Sequence, residues 1–278
     1  MPPYSETAMK KLLLPLCCVL AVSACDDNDN ADFVRDAGNI ATADITQVIN
    51  MEVHEQDDDE AAHTHLSLEF FGLDQDGYYY LIQLEDNDEL SIALNGESTV
   101  VIGEPLPSED DPYFIDYSEE FETAEAGAEF LVALDRDREA SVQTTSLLIP
   151  EATVFTLLPA DNPLDLQSEL TLEWLENEEH SYGVRVHYGC DVINNHPVNF
   201  TVHFPNRGAP ELISPFSFMP GDYFTPPADV EILGCELTMR LLTFAEEERI
   251  GDTDFERVII QTMRSVSEVR VLNIEAPL

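Results

Sequence analysis

Apolar residues recur at every second position through most of this 278-residue chain. In residues 64–71, for example, Leu66, Leu68 and Phe70 alternate with polar side chains. A period of two places these three side chains on one face of a β-strand, and leaves the other face, which carries His65, to solvent. Turn residues interrupt the pattern about every ten positions, as is typical of β-sandwiches. The sequence therefore predicts an all-β fold without a long helix.

The alternation predicts strands in both halves of the chain. They span residues 45–53, 64–71, 78–84, 90–94, 98–102, 129–134, 140–148, 153–158, 169–175, 182–188, 198–204, 214–218, 235–243, 258–262 and 268–274. Asn95-Gly96 predicts a two-residue hairpin between two of them. Residues 245–249 are expected to form a single helical turn.

A proline-rich junction at residues 150–163 divides the predicted strands into two groups. The expected organisation is an N-terminal segment at 1–24 with Met9 as the start, Cys25 with an acidic tether at 25–43, and two sandwiches at 44–150 and 151–278. The polar run that follows Cys25 is what predicts the tether.

Residues 9–25 have the layout of a secretory signal. Lys10 and Lys11 form a positive region, and an apolar run at 12–21 leads into small residues and Cys25. A membrane-spanning helix needs about 20 apolar residues, so this run is short for a permanent anchor. The alternatives are an ordinary cleaved signal and an N-terminal transmembrane anchor.

The ending Val22-Ser23-Ala24-Cys25 resembles the bacterial lipobox. This resemblance implies cleavage before Cys25, lipid on that cysteine, and a lipoprotein of the bacterial cell envelope that faces the periplasm or the cell surface. The expected membrane partner is therefore the bilayer that holds the lipid.

The formal net charge of −44 excludes the classes of protein that bind phosphate backbones electrostatically, so no nucleic-acid partner is expected. Solubility in a salty medium explains this charge if the acids only solvate the surface. Uptake of Ca²⁺ by clustered carboxylates is the alternative explanation.

The sequence contains five cysteines. Cys17 and Cys18 belong to the predicted signal and Cys25 to the predicted lipid anchor, which leaves Cys190 and Cys235. In an oxidising compartment an isolated pair of this kind predicts a disulfide, and a catalytic or metal-binding cysteine is the alternative.

Two segments of the second half resemble strands B and C of fibronectin type III domains. They are Leu170-Thr-Leu-Glu-Trp174 and Tyr182-Gly-Val-Arg-Val186. The resemblance implies that Trp174 packs inward against the second segment, and that Cys235-Glu-Leu-Thr-Met239 occupies strand F, with the disulfide joining neighbouring strands. The first half is immunoglobulin-like by strand count and spacing. The expected fold is therefore two tandem immunoglobulin-like and fibronectin type III-like antiparallel β-sandwiches.

Few residues in the sequence have the spacing of metal ligands. His63 and His65 lie two apart on a predicted strand, so their imidazoles share one face, with His54 nearby in sequence. Asp74 and Asp76 resemble part of a calcium loop but are more simply a hairpin turn. No cofactor is expected, and Ca²⁺ stays the alternative.

Aromatic clusters are the remaining candidates for binding. Residues 216–218 and 223–224 carry aromatics around Pro220, and these are expected to close the end of a sandwich, with ligand binding as the alternative. Tyr117 is expected in an acidic loop.

Nucleophile elbows, zinc-protease motifs and glycine-rich phosphate loops do not occur in the sequence. The expected function is a non-catalytic, lipid-anchored envelope protein with a structural or interaction role and an unknown protein or glycan partner. The alternatives are a carbohydrate- or calcium-binding accessory module and a metal-dependent enzyme.

Overall fold

The computed structural model of the chain describes residues 34–55, 61–73, 78–85, 87–101, 104–105, 115–137, 139, 142–193, 197–205, 212–225, 232–250 and 255–273. Strands make up most of these residues, which confirms the predicted all-β fold class. Their one α-helix is a single turn, α1 (Pro220–Tyr223). The strands are β1 (Val34–Asp36), β2 (Ile45–His54), β3 (His63–Leu73), β4 (Tyr79–Gln83), β5 (Glu89–Leu94), β6 (Glu97–Val101), β7 (Glu104–Pro105), β8 (Ile115–Phe121), β9 (Glu129–Asp135), β10 (Gln143–Leu148), β11 (Phe155–Leu158), β12 (Leu164–Asp165), β13 (Leu170–Trp174), β14 (His180–Val192), β15 (Val198–Phe204), β16 (Phe216–Phe218), β17 (Ile232–Arg249) and β18 (Arg257–Asn273).

The first core lies between the sheet β10-β9-β5-β6 and strands β2 and β3 of a larger sheet. The alternation of buried and exposed residues along β3 follows the predicted faces, with Leu66, Leu68 and Phe70 buried. The hairpin between β5 and β6 turns at Asn95 and Gly96, whose φ angles are 50° and 90°. Two positive φ angles are what a two-residue hairpin of this kind requires, so the predicted turn is confirmed.

The second core lies between the sheet β11-β13-β16 and the strands β15-β14-β17-β18. Taken in chain order, this arrangement puts the A, B and E strands in one sheet and C′, C, F and G in the other, as in immunoglobulin-like sandwiches. Trp174 of β13 is buried and lies 5.4 Å from Tyr182 of β14, measured between ring centroids. The inward tryptophan that the sequence predicts is therefore confirmed.

One strand belongs to both cores. The first half of β18 pairs in parallel with β2, from Arg257 beside Thr46 to Ser265 beside His54. From Val258 to Leu272 it pairs antiparallel with β17, so a single sheet runs from β1 through β4, β3, β2, β18, β17 and β14 to β15. Phe255, Val258 and Ile260 consequently pack in the first core, whereas Leu272 packs in the second. The β18 segment therefore pairs with strands on both sides of the expected division at residue 150.

The two C-terminal hairpin strands are longer than the sequence predicts. Residues 258–262 and 268–274 were expected as separate strands, but the backbone continues between them in β18, because the ladder with β17 is unbroken. The single helical turn expected at 245–249 is wrong, since those residues pair with residues 258–262.

Residues 34–43 belong to the fold rather than to a tether. β1 pairs with β4, and Ala37 and Thr42 are buried. The guanidinium of Arg136, itself buried, donates hydrogen bonds to the carbonyl of Ala37 at 2.7 Å and to the hydroxyl of Thr42 at 2.9 Å. These bonds hold the segment against the first core.

A missed strand corrects one further expectation. Tyr117 was expected in an acidic loop but lies in β8, which pairs with β3. Its ring is buried and contacts Phe70 edge-on at 5.9 Å, and its hydroxyl accepts a hydrogen bond from the amide of Leu84. The adjacent acidic residues Glu119 and Glu120 mask the pattern, because two successive charges interrupt the apolar alternation that predicts a strand.

Candidate functional site

The predicted cysteine pair lies in the second core. Cys190 of β14 and Cys235 of β17 are directly opposite each other, are both buried, and are joined by a disulfide. The structure thus confirms the pairing, across neighbouring strands of one sheet, as the fibronectin type III resemblance implies. Because both sulfurs are used in this bond, neither cysteine is available for metal or nucleophilic chemistry.

The other predicted site residues are distributed differently. Cys25, Asp74 and Asp76 lie outside the described residues. His63 and His65 are both on β3, on the face that points away from the first core, and they are partly exposed. Their shared face is therefore confirmed. The strands on either side, β2 and β8, decide what surrounds them, and β8 places Glu120 opposite His65.

Strand β2 brings two further polar side chains beside the histidines. In the antiparallel ladder, His54 lies directly opposite His63, and Glu52 lies directly opposite His65. Directly opposite residues share a face and have Cβ atoms about 5 Å apart. Glu52, His54, His63 and His65 therefore form a two-by-two arrangement on the outer face, which we call the His–Glu square.

Hydrogen bonds orient the two opposing imidazoles of the square. The His54 and His63 rings stack, with centroids 4.7 Å apart and planes 29° apart. Nδ1 of His54 is 3.2 Å from the hydroxyl oxygen of Ser265 on β18, and Nδ1 of His63 is 3.0 Å from the carbonyl oxygen of Ala61. Nε2 of His54 faces the carboxylate of Glu52.

The carboxylate of the square is held in its charged form. Glu52 Oε2 lies 3.7 Å from Nε2 of His54. The hydrogen bond with His54 lowers the pKa of Glu52 below its ordinary value despite partial burial, and the charges of His54, His65 and Arg185 lower it further. The square therefore has a negative group among three imidazoles near neutral pH.

The outer face of the second sandwich carries a group of basic side chains. Arg185 of β14 lies between His203 of β15 and Arg240 of β17 on the adjacent strands. Burial and the nearby Arg240 lower the pKa of His187, the next outward residue of β14, so this histidine is neutral at pH 7.

The aromatics around Pro220 close the second core. Phe224 stacks into a group with Tyr188 and Phe200, at centroid distances of 5.8 Å from each. Phe218 is buried in the same core. This packing agrees with the closing role expected for them.

Two classes of feature are absent from the part of the chain that the structure describes. No three His, Cys, Asp or Glu side chains are already arranged there to hold a metal ion. Nor does any helix in these residues have the length and apolar character needed to cross a membrane.

Sequence reasoning found His63 and His65 from their spacing and noted His54 nearby, but it missed Glu52. The signal that could have found it is the register of β2 on β3, which follows from aligning the buried faces of the two strands. Val53 and Thr64 are both fully buried and pair with each other, which fixes Glu52 opposite His65.

The fold defines the class of protein as all-β, with two sandwiches that share a sheet. No protein-family model matches the chain, and no curated protein matches it either. Among solved structures, a two fibronectin type-III domain segment from chicken tenascin aligns with 79% of this chain and 95% of its own length, at 15% identity and a TM-score of 0.18. A TM-score this low adds nothing to the fold assignment, which rests on the strand order and the two cores.

Proposed function

We propose that this protein is a non-catalytic, lipid-anchored component of the bacterial cell envelope with a structural or interaction role. The observation that carries the proposal is the shared sheet: β18 pairs with β2 of the first sandwich and with β17 of the second. Two sandwiches joined through a ladder rather than through a linker alone keep a fixed relation to each other, which suits a spacer or a docking platform.

The N-terminal sequence supports the anchor. Val34, the first residue that the structure describes, lies nine positions after Cys25, and a stretch of this length can span at most about 30 Å. Lipid on Cys25 would therefore hold β1, and with it one edge of the long sheet, close to the bilayer surface. The proposal therefore predicts that the role of the protein depends on its attachment to the membrane through Cys25.

The experiment compares the wild-type chain with Cys25→Ala in the cells that make it. The wild type should incorporate labelled palmitate and sediment with membranes, and Cys25→Ala should do neither. Ser23→Ala, which keeps the cysteine and a small residue before it, is the matched control and should behave as the wild type. Equal membrane association of wild type and Cys25→Ala would contradict the anchor.

Complementation tests the role itself. If position matters, a strain that lacks the protein should regain its normal envelope properties with the wild type but not with an equally abundant Cys25→Ala variant. Full rescue by the unanchored variant would contradict a structural or interaction role at the membrane.

A further inference from the structure

Strand β15 is an open edge of the long sheet. Among the residues that the structure describes, its one partner strand is β14, which it meets in an unbroken ladder from Val198 beside Cys190 to Phe204 beside Val184. The backbone donors and acceptors on its other side therefore face no strand of this described set. An edge of this kind can take up a further strand, and main-chain hydrogen bonds then hold the partner.

The β15 edge lacks the features that proteins commonly use to block an edge strand. Residues 192–210 contain no Asp or Glu, and this is the longest such stretch after residue 25 in a chain with 56 acidic residues. The strand itself contains no lysine and no proline, and its ladder with β14 has no bulge. Charge, proline and bulges normally prevent an edge from pairing, so β15 is unprotected.

Strand β8 shows how the same fold protects another edge. It also has seven residues and lies beside β3 at the border of the long sheet. It carries Asp116, Glu119 and Glu120, and β7 covers part of its outer side. The neutral, uncovered edge of β15 therefore differs from an edge of equal length in the same chain.

The inward side chains of β15 are only partly covered within one chain. Phe200, Val202 and Phe204 pack at the border of the second core but stay partly exposed. The Phe200 ring stacks on Tyr188 of β14, with centroids 4.5 Å apart, which leaves its other side toward the open edge. A strand added beside β15 would cover these side chains, so apolar burial would add to the main-chain hydrogen bonds.

We propose that the added strand is β15 of a second copy of this chain, paired antiparallel about a two-fold axis at Thr201. In this register each inward valine faces an inward phenylalanine of the second copy, and the outward side chains face one another. The pairs are Val198 with Phe204, Asn199 with His203, Phe200 with Val202, and Thr201 with Thr201. Threonine pairs and pairs of aromatic with β-branched residues stabilise antiparallel strands, and no acidic side chains meet. This inference goes beyond the proposed function and does not depend on it.

The charge of the chain favours a second copy over a different partner. Two chains that each carry a net charge of −44 repel each other, so close approach is least costly where acidic residues are missing. The β15 edge meets this condition, and the outward side chain opposite His203 on β14 is the basic Arg185. A basic partner would instead be attracted to the acidic parts of the surface. Two-fold pairing also uses the same strand on both chains, as closed dimers do.

Cysteine cross-linking tests the register directly. The full chain is purified in mild detergent and treated with copper phenanthroline as the oxidant. Thr201→Cys places two thiols directly opposite each other, with Cβ atoms about 5 Å apart, and should give a disulfide-linked dimer. Asn199→Cys is the matched control, because its two copies lie four positions out of register, roughly 13 Å apart along the strands, and should not cross-link.

A double variant provides a second check of the same register. Asn199→Cys combined with His203→Cys should cross-link, because these exposed positions face each other across the two copies although neither pairs with itself. The wild type under the same oxidant gives the background from the native cysteines. The proposal is overturned if Thr201→Cys gives no more dimer than the wild type. It is equally overturned if Asn199→Cys alone cross-links as well as Thr201→Cys, which would indicate random collision.

Sedimentation equilibrium measures the association without a cross-link. The interface is small, so a weak dimer is expected. In about 0.15 M salt, which screens the repulsion between the chains, the average mass of the wild type should rise toward twice that of one chain as the protein approaches roughly 1 mM. A wild type that stays monomeric at every concentration would overturn the proposal.

A charge placed on the edge should weaken this dimer. Thr201→Lys sets two positive charges opposite each other and should lower the affinity at least about fivefold. The control is Thr238→Lys on β17, which changes the net charge equally and also lies opposite His187, but on a central strand. It should associate as the wild type, and circular dichroism checks the fold of both variants. Equal association of Thr201→Lys and the wild type would contradict pairing through β15.

Discussion

Arg264, in the C-terminal strand, donates a hydrogen bond from Nε to Oε1 of Glu55 at 3.0 Å, although 209 positions separate the two residues. The Arg264 side chain is only 5% exposed. Its other nitrogens donate to the backbone carbonyls of Ala124 and Pro150. One guanidinium on the shared strand thus binds three separate segments of the first half of the chain, at the place where the two cores meet.

Replacement of this arginine should be costly. Arg264→Met leaves a partly buried carboxylate and two carbonyls without their donor, so the free energy of unfolding should fall by about 3 kcal/mol. Urea denaturation measures this change. The control is Arg257→Met, which removes an ion pair with Glu248 in which both side chains are well exposed, and should cost less than about 1 kcal/mol. Equal losses in the two variants would show that Arg264 does not fasten the cores.

The disulfide should contribute strongly to the second sandwich. Cys190 and Cys235 are 45 positions apart, and closing a loop of this length lowers the entropy of the unfolded chain by an amount worth about 4 kcal/mol on the chain-entropy model. Reduction, or the paired replacement of both cysteines by alanine, should lower the urea midpoint accordingly. Mass spectrometry after alkylation of the native protein provides the check, since thiols that react at these two positions without a reductant would contradict the bond.

The sole tryptophan of the chain offers a paired test of burial. Trp174 is 7% exposed and packs on Tyr182, whereas the next residue, Leu175, is 89% exposed. Trp174→Ala should therefore cost about 4 kcal/mol, and Leu175→Ala less than about 0.5 kcal/mol. Thermal or urea unfolding followed by circular dichroism measures both. A small loss for Trp174→Ala would place this side chain outside the second core.

Stability should fall at alkaline pH because of Tyr188. Burial raises the pKa of Tyr188 above the ordinary phenol value, and Tyr223 and Asp222 add to the shift, while its hydroxyl donates to the carbonyl of Pro220. A group whose pKa is raised on folding stabilises the fold below its unfolded pKa of about 10, and this contribution is lost as the pH rises above that value. Free energies of unfolding between pH 8 and roughly 11 should decline less steeply in Tyr188→Phe than in the wild type. Parallel curves for the two proteins would contradict this assignment.

Local pattern was enough to predict most strands and the Asn95-Gly96 hairpin, because each depends on residues close in sequence. The inward face of Trp174 came from the resemblance to fibronectin type III domains. It was not enough for β18, where the residues from Met263 to Ser267 lack a clear apolar alternation. Their strand conformation comes instead from the ladder to β17. Tertiary pairing outweighs local preference at such positions.

The parallel pairing of β2 with β18 had no sequence signal at all, since its two strands are about 200 residues apart. The His–Glu square was predictable only in part for the same reason. The spacing of His63 and His65 gives half of the square, and the other half, Glu52 and His54, follows only from the register between two strands.

The central claim is that the two sandwiches share one sheet through β2 and β18, and native-state hydrogen exchange of the full chain tests it most directly. The amides that join Thr46–His54 to Arg257–Ser265 should exchange as slowly as those of the ladder between β14 and β17 in the second sandwich. The claim would be contradicted if the β2–β18 amides exchanged as fast as amides in an unfolded chain, while the amides of both cores stayed protected from exchange. It would mean that the sandwiches are joined by their linker alone.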